Sequence, residues 1–105
     1  MIRLFINALA ATAGGGITYI KNVVPELSAR DDVHTSLLVP RQLRDRFSRS
    51  ANLDVLDCGL PSGAALRFWR EQRLLPQLIR QQQAHVLLSA GNFALRNSPV
   101  PQILL

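Results

Sequence analysis

Several residue types that commonly carry chemistry are scarce in this chain. Its 105 residues include one cysteine, Cys58, which excludes an internal disulfide and any multi-cysteine metal cluster. Cys58 lies in the apolar run Leu53 to Leu60 and reads as a buried thiol rather than a nucleophile. The two histidines, His34 and His85, show neither HxH nor HExxH spacing and each precedes an apolar run. Both read as strand-start residues, and no metal site is expected. Aromatics make up 6% of the chain, too few to interleave with basic residues as a nucleic-acid surface would require, so no nucleic-acid partner is expected. No segment approaches the roughly 20 apolar residues of a membrane span.

Two phosphate-binding signatures are missing as well. Gly16 is followed by Ile17 and Thr18 rather than by Lys and then Ser or Thr, and Tyr19 stands where the dinucleotide fingerprint needs its third glycine. These departures exclude the classical P-loop and the NAD-type turn.

What is present fits one domain. The chain is 48% hydrophobic and carries a net charge of +5 from 12 basic and 7 acidic residues, with Lys21 the single lysine among eleven arginines. That size allows a core but leaves no room for a second nucleotide-binding lobe. The charge favours anionic partners, phosphates or an acidic lipid surface. Arg41, Arg44, Arg46 and Arg49, with Asp45 among them, form the one dense basic stretch. It reads first as a solvated face, and as a contact for anionic head groups if it is functional. Arg3, the apolar stretch Leu4 to Ala11 and Ala11-Thr12-Ala13 imitate a short signal peptide. Asn7 interrupts that stretch, and removing it would delete the first strand of a regular alternation. A retained strand and a cytoplasmic protein, with the inner membrane face as a peripheral location, are therefore expected.

Five apolar runs organise the chain: Arg3 to Ala8, His34 to Val39, Leu53 to Cys58, His85 to Ser89 and Val100 to Leu105. Between the first two, Ile17, Ile20, Val24 and Leu27 recur at helical spacing. Pro25 is expected to kink that helix or shift its register. Arg41 to Phe47 reads as a short basic helix. A longer helix from about Ala64, capped by Ser62, carries Ala65, Phe68, Leu75 and Ile79 on one side, with Trp69 turned to the core and Pro76 bending or dividing it. Strands alternating with helices predict an α/β fold with a parallel, doubly wound, Rossmann-like sheet of about five strands in the order 3-2-1-4-5. The last run has no helix after it, which reads as the first part of something longer.

The topology gives the glycines their meaning. Gly14, Gly15 and Gly16 fall between the first run and the first helix, where glycine lets the backbone approach a ligand and a helix start favours an anion. A tight turn with nothing bound would need only two. In this strand order ligands bind at the reversal between strands one and four, where Gly14 to Gly16 would meet Ser89, Gly91 and Asn92 beyond the fourth strand.

At this point the chain resembles the amino-terminal lobe of a GT-B glycosyltransferase of the large retaining group called group 1 or family 4. The resemblance is carried by Asn7-Ala8 leading into Gly14 to Gly16, by Tyr19, Asn22 and Pro25-Glu26-Leu27, by Arg67 to Gln72 with Leu75-Pro76, and by His85 to Phe93 with Pro99 to Gln102. It spans nearly the whole chain and rests on the order and spacing of these segments. It implies transfer of a sugar from a nucleotide-diphosphate donor to an acceptor hydroxyl with retained anomeric configuration. No cofactor is implied beyond that donor. Gly14, Gly15 and Gly16 match the loop that approaches the donor diphosphate, Thr18 would add a hydroxyl, and Ser89, Gly91 and Asn92 would line the acceptor side of the cleft. The carboxyl-terminal lobe that holds the nucleotide sugar is absent from these residues, so the 105 residues alone are not expected to turn over. The segment that carries a cleft histidine in many members is absent too. Neither His34 nor His85 matches it, and no catalytic residue is assigned. A stand-alone α/β nucleotide- or sugar-binding or regulatory module is the alternative.

Overall fold

The computed structural model describes residues 1–9, 14–58, 64–89 and 98–104. The chain runs β1 (Ile2–Asn7), α1 (Gly14–Ser28), β2 (Val33–Pro40), a 3-10 helix (Arg41–Arg46), β3 (Leu53–Cys58), α2 (Ala64–Gln81), β4 (Val86–Ser89) and β5 (Gln102–Leu104). The five strands form one sheet in the order β3-β2-β1-β4-β5, and every neighbouring pair is parallel. This is an α/β, Rossmann-like, doubly wound arrangement.

A parallel strand covered on both faces needs apolar side chains in both directions, and β1 supplies them. Ile6 faces a cluster with Ile20 and Val24 of α1, joined by Leu37, Val39, Leu43, Leu53, Val55 and Leu88. Its neighbour Phe5 faces the opposite cluster, with Leu75 and Ile79 of α2 and with Leu9, Leu38 and Leu87. Phe5 and Ile6 are both fully buried. Burying one side chain of this size stabilises by about 1.5–3 kcal/mol, so the central strand anchors both layers at once.

Two helical details differ from the sequence expectation. The spacing predicts a helix from Ile17, preceded by a glycine loop, whereas α1 begins at Gly14 and takes all three glycines into its first turn. Each glycine costs a helix about 1 kcal/mol relative to alanine. Ile20 and Val24, 0% and 3% exposed, secure the helix to the sheet and outweigh that local preference. Pro25 and Pro76 each lie inside a single helix, so Pro76 does not divide α2. Leu75 and Ile79 grip the sheet on either side of it.

The end of α2 is closed by a Schellman motif. Ala84 N–H donates to the Ile79 carbonyl at 3.1 Å and Gln83 N–H to the Arg80 carbonyl at 3.0 Å, the paired bonds that satisfy the last carbonyls of a helix. Gln83 takes the left-handed conformation this requires, with φ 55°. Ala84 then packs on the same cluster as Ile79. The expected cap Ser62 lies outside the described residues, as do the side chains of Cys58, Ala65, Phe68 and Trp69. Among the described residues no helix is long and apolar enough to cross a membrane.

Candidate functional site at the carboxyl ends of β1 and β4

In a doubly wound sheet the crevice opens where the strand order reverses, beyond the carboxyl ends of the two strands concerned. Here those strands are β1 and β4. Their last register pair is Asn7 with Ser89. On the other side of β1, Asn7 pairs with Leu38 of β2, so the three residues form a row across the sheet tip.

Side chains alternate along a strand. Leu87 and Leu38 belong to the α2-side cluster, so Ser89 and Asn7 face α2 as well. Both are buried, at 2% and 8% exposure. The Asn7 Oδ1 accepts a hydrogen bond from Leu9 N–H at 3.2 Å, folding the side chain over the end of its own strand as the main chain turns away. Ser89 differs, because its Oγ is buried with no hydrogen-bond partner among the described residues. An unmet buried hydroxyl costs about 1–3 kcal/mol in lost hydration.

α1 stands on the opposite face of the same sheet end. The N–H groups of Gly14, Gly15 and Gly16, in its first turn, have no acceptor within the helix. The first turn carries no acidic residue, so no carboxylate there competes for the positive end of the helix dipole. Thr18 follows on the second turn and is exposed. Gly14 to Gly16 and Ser89 therefore sit at one end of the sheet but on its two faces, flanking the crevice rather than sharing a wall. Gly91 and Asn92, expected on the same wall as Ser89, lie outside the described residues.

The histidines hold structural positions. His34, the second residue of β2, has its Nε2 3.2 Å from Asp54 Oδ2 on β3. His85 accepts from the Arg3 N–H through Nδ1 at 3.1 Å, while its own N–H donates to the Arg3 carbonyl at 2.7 Å. Both contacts are at the amino-terminal side of the sheet, away from the crevice. Among the described residues no three His, Cys, Asp or Glu side chains are grouped to hold a metal ion.

The basic stretch is largely answered by β3, which sequence spacing alone did not reveal. Arg44 donates to Asp57 at 2.7 Å, Arg41 lies 3.8 Å from the same carboxylate, and Arg49 lies 3.6 Å from Asp54. The two aspartates Asp54 and Asp57 inside the otherwise apolar β3 were the available signal. Arg46 has no ion pair among the described residues.

No family model matches this sequence, and no curated protein matches it.

Proposed function

We propose that the chain is the acceptor-side lobe of a retaining glycosyltransferase, handling a sugar carried on a nucleotide diphosphate and delivered to an acceptor hydroxyl. The observation that carries this reading is the buried Ser89 hydroxyl, unpartnered among the described residues, beside Asn7 at the β1–β4 reversal, across the sheet end from a helix start built of three glycines. Such a transfer develops negative charge on the departing diphosphate, and fixed N–H dipoles stabilise that charge without reorganising. Gly14, Gly15 and Gly16 would supply those dipoles, with no side chain to hold the phosphate oxygens away. Thr18 would add a hydroxyl at the rim. Ser89 would meet a hydroxyl of the sugar or the acceptor from the other side. A partner lobe binding the nucleotide, and an acceptor at the inner membrane face in the cytoplasm, belong to the same proposal.

The test is a titration of the isotopically labelled chain with inorganic pyrophosphate and with uridine-, adenosine- and guanosine-diphosphate glucose, followed by amide shifts. The expected result is selective movement of the Gly14, Gly15, Gly16 and Ser89 signals, with a dissociation constant on the order of 1 mM, a free energy of about −4 kcal/mol. Movement confined to other residues, or none, overturns the reading.

A further inference from the structure

A second recess lies between α1 and the segment that follows the 3-10 helix, well away from the crevice. Its volume is about 270 Å³, and Lys21, Pro25, Ser28, Arg46, Phe47 and Ser48 line it, over a floor of Val24 and Leu53. The volume equals that of about nine waters at roughly 30 Å³ each in the liquid, enough for a short chain of carbon atoms and a head group.

The recess is built, rather than left over. Lys21, Val24, Pro25 and Ser28 fall at i, i+3, i+4 and i+7, one face of α1. The facing wall is the end of the 3-10 helix, where Arg46 and Phe47 turn back toward the start of β3 at Leu53. Val24 and Leu53 are 3% and 2% exposed, so the floor is continuous with the core. The Ser28 hydroxyl is held by the Pro25 carbonyl at 3.0 Å.

Charge separates this recess from its surroundings. Of the four arginines in the basic stretch, Arg41 and Arg44 are paired with Asp57 and Arg49 with Asp54. Arg46 and Lys21, the two cations lining the recess, have no ion pair among the described residues, and no acidic residue lines it. Two unanswered cations at the mouth of an apolar floor match a molecule with one negative head on an apolar stem. The cations meet the head, and burial of the stem contributes about 25 cal/mol per Å² of apolar surface removed from water.

We propose that this recess binds a small anionic amphiphile, with a carboxylate or phosphate between Lys21 and Arg46 and its apolar stem against Val24, Phe47 and Leu53. The site is separate from the crevice and stands whether or not the chain transfers sugars.

Octanoate serves as the probe, with octanol as the uncharged control and inorganic phosphate as the stemless one. Titration followed by amide shifts is expected to move the signals of Lys21, Val24, Ser28, Phe47 and Ser48. Octanol and phosphate should each bind at least fivefold more weakly than octanoate. The exposed pair K21Q/R46Q should weaken octanoate binding at least tenfold while circular dichroism and the urea midpoint stay unchanged, whereas R41Q should leave binding within twofold. Equal binding of octanol and octanoate, shifts centred on Arg41 and Arg44, or undiminished binding by a folded K21Q/R46Q variant would each overturn the proposal.

Discussion

Asn7 and Ser89 are neighbours across the last register position of the β1–β4 pair, both buried and both facing α2, yet of their two side chains only that of Asn7 has a hydrogen-bond partner among the described residues. A serine left unsatisfied there contrasts with a second orphan hydroxyl, Thr35 Oγ1. Thr35 is fully buried in mid-sheet, paired with Leu4 and Leu53.

The contrast is measurable. Thr35→Val keeps the β-branched shape and removes the unmet hydroxyl, so it should raise stability to urea by about 1 kcal/mol. Ser89→Ala should also hold or gain stability, by up to about 1 kcal/mol, but should weaken pyrophosphate and nucleotide-sugar binding. A loss of stability in Ser89→Ala of more than 1 kcal/mol would assign the hydroxyl a structural role instead.

Gln83 adopts φ 55° at the end of α2, where a residue with a Cβ is strained by about 1–2 kcal/mol. Gln83→Gly removes the strain but loosens the unfolded chain. The net expectation is a gain of about 0.5–1 kcal/mol in chemical denaturation, with the Ala84 and Arg80 amide signals little changed. A net loss would show that the Gln83 side chain holds the helix end.

The two classes of arginine should separate by stability. Arg44 reaches an Asp57 side chain that is 18% exposed, so Arg44→Gln should cost about 0.5–1 kcal/mol, the upper range for a partly shielded pair. Arg46→Gln should stay within about 0.5 kcal/mol of the parent. Equal losses would contradict the pairing pattern on β3.

Arg30 grips both carboxylate oxygens of Asp32 through its Nε and Nη2, at 3.0 and 2.9 Å. That hydrogen bonding holds the Asp32 carboxyl below its ordinary value, about 3.9 for aspartate. A carboxyl lowered on folding adds stability that is present above its unfolded pKa and is lost as pH falls through the lower, folded one. Both side chains are exposed, so the stability effect is slight. The titration itself is the sharper readout. In Arg30→Gln the Asp32 carbon resonance should titrate at a higher pH than in the parent, and an unchanged midpoint would contradict the grip.

Much of the framework was legible in the sequence because the buried strands are uninterrupted apolar runs. Leu53–Cys58 matches its expected bounds, and the others shift by one or two residues where pairing rather than hydropathy sets the end. Val100, for example, packs on the core beside α2 without joining β5. Short local signals served less well. Arg41 to Phe47 has helical composition but closes as a 3-10 helix ending at Arg46, and the glycines read as a loop because propensity ignores the anchoring of Ile20 and Val24. At the candidate site, the reversal that sets β1 beside β4 was legible from the alternation of strands and helices. The face to which Ser89 points was not, because it depends on which side of β4 is covered by α2. The acidic partners of the arginines depend likewise on pairing between β2 and β3.

The most direct test of the anion site is Gly15→Ala, measured for both folding and binding. A helical backbone at Gly15 accepts alanine, so stability should rise by about 0.4–1 kcal/mol, while the added Cβ should reduce pyrophosphate-induced shifts at Gly14 and Gly16 at least tenfold at equal concentration. A more stable variant that binds pyrophosphate as well as the parent would contradict the account.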